Sequence, residues 1–333
     1  MKSSHIAIAI VAILLVAGVG VYVLSGNVDR GNNPDQGIPD SDYYPITITT
    51  SAGGTLYQQT FTKAPERIVV LYDPNIELLC YYGLEDRIVQ AFAGHNGGSY
   101  TTLFPELADK HASIETMNSS TMSSELVRSL NPDLIIGWSS TFNDTFGRVT
   151  TWNDFGINCF VTNRPSASVD DYLLLLENMG KIFNMEKSAE QKISSFTSSY
   201  DAVEAKVSGL SDSERVTALV LEPGEEYNGC MTYGSSFLTG DLVTKAGGIN
   251  LHDGTMNDLT AEYIASLNPD IIFMMPYGHG NLGVQGSVDY FKNDPAYASM
   301  TRNIVGFTFE ELYMGGLLSE TIIDRMFEAM YPS

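Results

Sequence analysis

Two glutamates stand at matching places in a segment that the chain carries twice. The first copy is SELVRSLNPDLIIGW, residues 124–138, and the second is AEYIASLNPDIIFMM, residues 261–275. Glu125 and Glu262 each lie seven positions before the proline of their copy, and the two prolines are 137 positions apart. One carboxylate in the first turn of a helix is explained by the helix dipole. A matched pair also offers two separated acceptors for the cationic side chains of a partner protein.

Aromatic and histidine side chains gather in the segments that follow apolar runs. Tyrosine and tryptophan give large flat contacts with a polar tip, which suits the recognition of macrocycles and chelates. A ligand of an open α/β sheet lies beyond the carboxyl ends of the strands, so we expect these segments to line a binding cleft. The alternative for any one tyrosine is that it packs its own loop. The candidate ligand-binding residues are Tyr72, His95, Tyr100, Trp138, Arg164, Tyr227, Tyr233, Tyr277, His279 and Tyr313.

His95 and His279 fall in different halves of the chain. Together they could hold a metal ion, directly or as axial ligands of a bound complex. The alternative is an ordinary surface histidine on each loop, and we assign no metal-binding residue on this basis. The spacing of the cysteines Cys80, Cys159 and Cys230 fits no zinc motif and no CxxC pair. We expect three buried thiols, with one disulfide as the alternative.

The composition argues against several classes of function. A net charge of −22 disfavours nucleic-acid binding, because phosphates are contacted through lysine and arginine. It also disfavours docking of the folded part on an anionic membrane surface. The chain has no G-x-S-x-G, Walker, H-E-x-x-H or G-x-G-x-x-G motif, and the paired carboxylates Asp170–Asp171 and Glu225–Glu226 are typical of solvated turns. We therefore predict no catalytic residue and no enzymatic activity.

The N-terminus predicts a membrane segment over residues 1–25. Nineteen uncharged, mostly apolar residues run from Ile6 to Leu24, and as a helix they would span about 28 Å, close to the thickness of a bilayer core. A cleaved signal peptide is the alternative, although its apolar part is ordinarily shorter. No cysteine follows the run, which argues against a lipid anchor. Residues 26–45 predict a flexible linker, and we expect the remainder outside the cytoplasm.

Strand and helix patterns recur in the same order in the two halves of the chain. Residues 46–61, ITITTSAGGTLYQQTF, alternate β-branched residues around Gly53–Gly54 and predict a β-hairpin. RIVVLY at 67–72 suits a strand buried on both faces. A helix capped by Asp73 and ended by Gly83 follows, and then a second strand, which is a βα unit of a parallel sheet.

The repeat predicts two similar α/β lobes with central, mostly parallel sheets, bridged by one long helix. The first lobe comprises residues 46–165, the helical bridge 166–209 and the second lobe 210–333. In each repeated segment, Ser123 or Thr260 would cap a short helix that the following Asn–Pro pair ends. The bridge contains an amphipathic helix over 187–209 of about 34 Å.

The order and spacing of four segments resemble the class III substrate-binding proteins of ABC importers. The segments are APERIVVLYDPNIELLCYYGLEDRIVQ, SSELVRSLNPDLIIG, YGSSFLTGDLVTKAGGIN and LTAEYIASLNPDIIFM. The resemblance runs from the hairpin at Thr47 to the C-terminus and implies two lobes joined by one long helix. It further implies that Glu125 and Glu262 contact arginines of the permease. The chain departs from the family where DPAYASMTRNIVGFTFEELYMGGLLSE replaces a GRVY strand, so the resemblance leaves the cleft residues there open.

The resemblance implies a function in transport. We expect an extracytoplasmic protein that captures a metal chelate, whether a corrinoid such as cobalamin, haem or a ferric siderophore, and delivers it to an ABC permease with its ATPase. Basic residues near the cleft segments are few (Arg148, Arg164 and Lys245), which favours a neutral or cationic chelate such as a corrinoid. We expect a monomer with no intrinsic cofactor, attached to the membrane only through its N-terminal segment. The alternative is a membrane-anchored extracellular sensor or binding module of the same fold without a transporter.

Overall fold

The computed structural model describes most of the chain after the predicted membrane segment. The described residues are 40–93, 104–162, 168–223, 229–253, 257–277, 282–295, 297, 303–314 and 316–332. The predicted membrane segment 1–25 and most of the predicted linker 26–45 lie outside them. Within the described ranges, no helix combines the length and the apolar character that a membrane crossing requires.

A short helix and a β-hairpin begin the described chain. Helix α1 (Asp40–Tyr43) is followed by strand β1 (Ile46–Ala52), which pairs in antiparallel register with β2 (Thr55–Phe61). The turn consists of Gly53 and Gly54, with φ of 57° and 77°. Two consecutive residues at positive φ favour glycine strongly, so the predicted hairpin forms at the predicted turn.

A five-stranded parallel sheet forms the first lobe. Its strands are β3 (Ile68–Leu71), β4 (Ile88–Ala93), β5 (Thr116–Asn118), β6 (Leu134–Gly137) and β7 (Asn158–Val161). They are arranged in the order β5–β4–β3–β6–β7, and every neighbouring pair is parallel. The central strands β3 and β6 are buried along their whole length, as the unbroken apolar sequences IVVL and LIIG predict.

Short helices connect the strands of the first lobe. They are α2 (Asp73–Tyr81), α3 (Ala108–Ala112), α4 (Ser124–Ser129) and α5 (Val149–Asp154). Helix α2 begins one residue earlier than predicted, because Tyr72 rather than Asp73 occupies the cap position. Its end is as predicted, with Gly83 at a φ of 70° just beyond the last turn.

A mixed sheet forms the second lobe. Its strands are β8 (Thr217–Pro223), β9 (Cys230–Thr232), β10 (Ile249–Asn250), β11 (Asn257–Leu259), β12 (Ile271–Met274) and β13 (Ile304–Gly306). The order is β11–β9–β8–β12–β13, with β10 beside the first residues of β8. Strands β8, β10, β12 and β13 are parallel, whereas β9 is antiparallel to β8 and β11. The helices are α8 (Leu238–Lys245), α9 (Ala261–Leu267), α10 (Gly283–Asn293) and α11 (Ser319–Met330).

The repeated segment folds in the same way in both lobes. Ser123 caps α4 and Thr260 caps α9, in each case by accepting a hydrogen bond from the backbone N–H three residues later. An asparagine in the left-handed conformation follows each helix, Asn131 with φ 46° and Asn268 with φ 47°. Asparagine tolerates this conformation better than most residues, and the proline that follows prevents further helix. The predicted caps and stops are therefore confirmed.

The aspartate after each proline ties the repeat to its neighbouring strand. Asp133 accepts hydrogen bonds from the backbone N–H groups of Glu66 and Arg67, at 2.9 and 3.0 Å, just before β3 begins. Asp270 accepts from the backbone N–H and the hydroxyl of Thr217, at 2.8 and 2.7 Å, where β8 begins. The two equivalent aspartates therefore align β6 with β3 and β12 with β8 in the same way.

Two helices within the predicted bridge pack against each other. They are α6 (Val169–Phe183) and α7 (Glu186–Val207), the latter a single helix of 22 residues. Ser168 and Asp171 form a capping box at the start of α6, and Asn184 in the left-handed conformation ends it. Only two residues separate the helices, so they run antiparallel. The largest apolar cluster includes Leu176 of α6, Val70 of the first sheet and Val220 of the second.

The predicted α/β class with central, mostly parallel sheets is confirmed. The prediction for the cysteines is also confirmed, because Cys80, Cys159 and Cys230 are all buried and unpaired.

Candidate ligand-binding site and docking surface

Two predicted ligand-binding residues meet where the connections of the first sheet diverge. From the neighbouring strands β3 and β6, the chain continues to β4 on one side and to β7 on the other. A crevice forms at the carboxyl ends of strands at such a switch point. Tyr72 follows β3 directly and Trp138 follows β6 directly. Their rings are stacked, with centroids 3.8 Å apart and planes inclined by 13°. We call them the first-lobe aromatic pair.

The backbone of Tyr72 is in an unusual conformation. Its φ is 73° and its ψ is 138°, a region that bulky residues rarely adopt. Its N–H donates to the carbonyl of Phe92 at 2.7 Å, and its phenolic oxygen lies 3.0 Å from the hydroxyl oxygen of Thr141. These contacts hold the ring over Trp138 against a conformational cost of about 1–3 kcal/mol. Strain of this kind is concentrated at functional sites.

A second group of aromatic rings lies at the carboxyl ends of β12 and β13. The ring of Tyr277 lies 4.1 Å from that of Phe309, which in turn stacks on Tyr313 at 4.5 Å. Tyr233, which follows β9, lies 6.0 Å from Tyr313. We call these four residues the second-lobe aromatic cluster. The structure thus brings three predicted residues together, and it adds Phe309, which the sequence analysis missed.

Phe309 links the predicted residues of the second lobe. It follows the short strand β13, within the segment where the sequence departs from its family pattern. The mostly apolar run IVGFTF at 304–309 could have indicated it. Such a run suggests a strand, and the aromatic residue at its end, Phe309, would then follow that strand.

Tyr233 is the most deeply buried member of the second-lobe aromatic cluster, with 1% of its surface exposed. Its hydroxyl donates a hydrogen bond to the carboxylate of Glu222. Burial, reinforced by the charge of Glu222, raises the pKa of Tyr233 well above its usual value. The hydrogen bond to Glu222 anchors the ring of Tyr233 on the Tyr313 side of the cluster.

Half of the predicted ligand-binding residues lie outside the described residues. They are His95, Tyr100, Arg164, Tyr227 and His279. By position in the sequence they follow β4, β7, β8 and β12. Their contact with a ligand, and the possible joint metal contact of His95 and His279, stay predictions.

Glu125 and Glu262 occupy the first turns of α4 and α9, and both are exposed. Within the described ranges neither carboxylate forms a salt bridge. Hydrogen bonds at the start of α4, first from the backbone of Glu125 and then from Ser123, lower the pKa of the Glu125 carboxyl below its usual value. The group is therefore ionised at neutral pH and accessible to a cationic partner.

Comparison with known proteins places this geometry in context. Residues 68–301 match the profile of a family described as periplasmic binding protein. The chain is similar to the uncharacterized ABC transporter substrate-binding lipoprotein YvrC of Bacillus subtilis (strain 168), with 26% identity over 264 residues and 78% of each chain covered.

Solved structures share the fold. A periplasmic binding protein from Veillonella parvula superposes with a TM-score of 0.73 at 22% identity, over 87% of this chain and 92% of that one. An ABC-type Fe3+-hydroxamate transport system protein from Saccharomonospora viridis gives 0.65 at 21% identity, over 86% and 99%. The petrobactin-binding protein YclQ from Bacillus subtilis gives 0.64 at 17% identity, over 87% and 100%.

Proposed function

The chain belongs to the periplasmic binding protein family, and from this premise we propose that it captures a metal chelate outside the cytoplasm and delivers it to an ABC permease with its ATPase. The family consists of binding proteins, which agrees with the absence of a catalytic motif in the sequence. The chelate is held in a cleft between the two lobes.

The observation that carries the proposal is the placement of aromatic rings in both lobes. The first-lobe aromatic pair follows the central strands β3 and β6, and the partly exposed rings of the second-lobe aromatic cluster, Tyr277 and Tyr313, follow β12 and β13. Flat rings of this kind bind large, partly apolar ligands through contact area rather than charge. The relatives described as Fe3+-hydroxamate and petrobactin proteins support an iron chelate, with haem or a corrinoid as further members of the same class.

The charges near the cleft segments favour a chelate without a large negative charge. Arg148 is already paired with Asp144, and Lys245 lies 3.7 Å from Asp170. These two of the three basic residues assigned to the cleft segments are therefore compensated within the protein, and the third, Arg164, lies outside the described residues. A strongly anionic ligand would need additional cations to replace its lost hydration.

Delivery to the permease is supported by the matched positions of Glu125 and Glu262. Two equivalent helices present them in their first turns, so a partner with two separated cationic groups would be held in a fixed orientation. We further propose attachment to the membrane through residues 1–25. The relative YvrC is described as a lipoprotein, whereas here no cysteine follows the apolar run.

A ligand screen tests the proposal. The full chain in detergent is purified, its absorption spectrum is recorded for bound haem or corrinoid, and thermal stability is measured with ferric siderophores, haem and cobalamin. A ligand at 100 times its dissociation constant adds about 2.7 kcal/mol of stability. The variant Trp138→Ala weakens that binding, whereas Tyr290→Ala on α10 does not. A response to a sugar or peptide, with none to any chelate, contradicts the proposal.

The alternative is a sensor that works without a transporter. The protein that copurifies with the chain distinguishes it from a transport protein. Copurification of the tagged full chain from its own membranes recovers a permease and an ATPase if the chain delivers its ligand. Recovery of a signalling protein in their place supports the sensor.

A further inference from the structure

A pocket of about 260 Å³ lies in the first lobe, next to the proposed docking helix α4. It lies between α4, the loop 144–148 and α5. The lining residues that matter for its chemistry are Ser124, Arg128, Asp144, Arg148, Thr151 and Phe155. We call it the α4 pocket. It lies apart from the first-lobe aromatic pair, neither of whose residues lines it.

Two arginines and one aspartate line the α4 pocket of a strongly acidic protein. Only 18 residues of the chain are basic, against a net charge of −22, and two of them line this pocket. Arg148 forms a bidentate ion pair with Asp144 and is compensated. Arg128 forms no salt bridge with any described residue. Its guanidinium lies 3.9 Å from the ring centroid of Phe155, a side chain that is 48% exposed. The pocket therefore presents an arginine that forms no salt bridge with the described residues, lies over an exposed aromatic ring and interacts electrostatically with Glu125.

The position of Arg128 relates the pocket to the docking surface. Arg128 follows Glu125 by three residues on α4, so the two side chains lie on the same face of the helix. At the matching position of the second lobe stands Ala265, three residues after Glu262. Both lobes thus have a glutamate in the first turn of the helix, but only the first lobe has an arginine three residues after it.

We propose that the α4 pocket receives an acidic side chain of the permease, beside the arginine that Glu125 contacts. This inference rests on the proposed function and deepens it, because it states the chemistry of the partner surface. A guanidinium binds a carboxylate through two parallel hydrogen bonds, and the ring of Phe155 holds its plane in place. The first lobe then presents an anion and a cation, the second lobe an anion alone. Two adjacent charges of opposite sign give the first lobe a partner preference that the second lobe lacks.

Binding of the full chain to its permease–ATPase complex in lipid nanodiscs tests the inference. Arg128→Glu lowers the affinity for the complex at least tenfold and leaves the affinity for the chelate unchanged. Thr151→Trp fills the α4 pocket without changing its charge and produces a similar loss. The matched control is Lys63→Glu, the same charge change at a side chain that is 60% exposed and remote in sequence, and it binds like the wild type.

Each outcome separates this inference from the proposed function. If Arg128→Glu or Thr151→Trp binds the complex normally while Glu125→Arg with Glu262→Arg does not, the pocket has no part in docking and the proposed function stands. If all of these variants bind normally, docking through α4 and α9 is itself wrong. If Arg128→Glu binds normally but acetate stabilises the wild type and not this variant, the pocket binds a free anion and the inference is overturned.

Discussion

Lys192 on α7 forms an ion pair with Glu320 on α11, and its ammonium also lies 5.6 Å from the ring centroid of Tyr81 on α2. The side chains of the ion pair are 8% and 20% exposed. One cation thus joins the bridging helix to a helix of each lobe. Because removal of one partner leaves the other buried and unpaired, this contact has a measurable role in stability.

We expect Lys192→Met to lower the free energy of unfolding by about 3 kcal/mol, because Glu320 loses its partner in a buried site. Combining it with Glu320→Leu restores part of the loss. The matched control is Lys181→Met, whose ion pair with Glu177 is half exposed and is worth about 0.5 kcal/mol. Urea denaturation measures all four proteins. Equal effects of the two lysine substitutions would contradict the role given to Lys192.

Tyr72→Gly separates stability from ligand binding. Glycine relieves strain of about 1–3 kcal/mol at this positive φ. It also loses the partly buried ring, its contact with Thr141 and a stacking interaction worth about 0.5–1.5 kcal/mol beyond the buried area. We therefore expect the free energy of unfolding to fall by only about 1–2 kcal/mol, while the affinity for the chelate falls at least tenfold. Calorimetry with the chelate identified in the screen measures the affinity. Unchanged affinity would mean that the first-lobe aromatic pair is purely structural.

Reversing both charges of the proposed docking pair, Glu125→Arg with Glu262→Arg, should abolish transport while ligand affinity and folding stay near those of the wild type. Both side chains are exposed, so the core is unaffected. Each single substitution should reduce transport less than the pair does, because one contact remains. Uptake of the labelled chelate by whole cells measures the effect. Normal uptake by the double variant would show that the two glutamates only stabilise the starts of their helices and do not contact a permease.

Asn131→Ala and Asn268→Ala should each cost about 1 kcal/mol of stability, because alanine resists the left-handed conformation. Glycine at either position should lower the stability by only a few tenths of a kcal/mol, since it adopts this conformation freely. The two sites lie in different lobes and share no partner among the described residues, so the effects of the alanine substitutions should add. Thermal unfolding of the single and double variants provides the measurement. Non-additive losses would show that the two lobes are coupled through the repeated segment.

The three thiols predict how stability depends on alkaline pH. Burial raises the pKa of Cys80 and Cys230 to about 12 and that of Cys159 further. An unfolded thiol titrates near about 8.5. The unfolded state therefore loses these protons first, so their stabilising contribution is complete below about pH 8.5 and falls as the pH rises towards 12.

Urea denaturation at pH 7.5 and at pH 10 checks this, and a variant with all three cysteines replaced by alanine should show a smaller decrease. Native protein at pH 8 should also leave all three thiols unreactive towards a disulfide reagent. Rapid labelling of any one of them in the native state would contradict their burial.

Local patterns in the sequence predicted the fold of the repeated segment well. Each copy and the residue before it contain, within 15 residues, a helix cap, a carboxylate in the first turn, an asparagine before proline and an apolar strand. Each of these features determines the backbone conformation of residues close to it in the sequence. The hairpin at Gly53–Gly54 was predictable for the same reason.

Contacts between distant elements were not predictable in this way. Tyr72 and Trp138 were both candidates, but their stacking depends on β3 and β6 being neighbours, which is a matter of strand order. The pairing of Lys192 with Glu320 spans 128 positions of the sequence. Phe309 was missed because β13 is short and its neighbours carry no motif. Each of these contacts is decided by the packing of whole elements rather than by local preference.

The attachment of the N-terminal tyrosines to α6 has a consequence for the order of folding. The hydroxyls of Tyr43 and Tyr44 donate to the carbonyls of Lys181 and Ile182, each 138 positions later in the chain. All strands of the first sheet have been synthesised by Val161, so that sheet can form before the second lobe has left the ribosome. The segment that contains Tyr43 and Tyr44 is attached only when α6 has emerged. The first lobe therefore folds in two steps. Helix α6, which completes it, is also the first helix of the bridge to the second lobe.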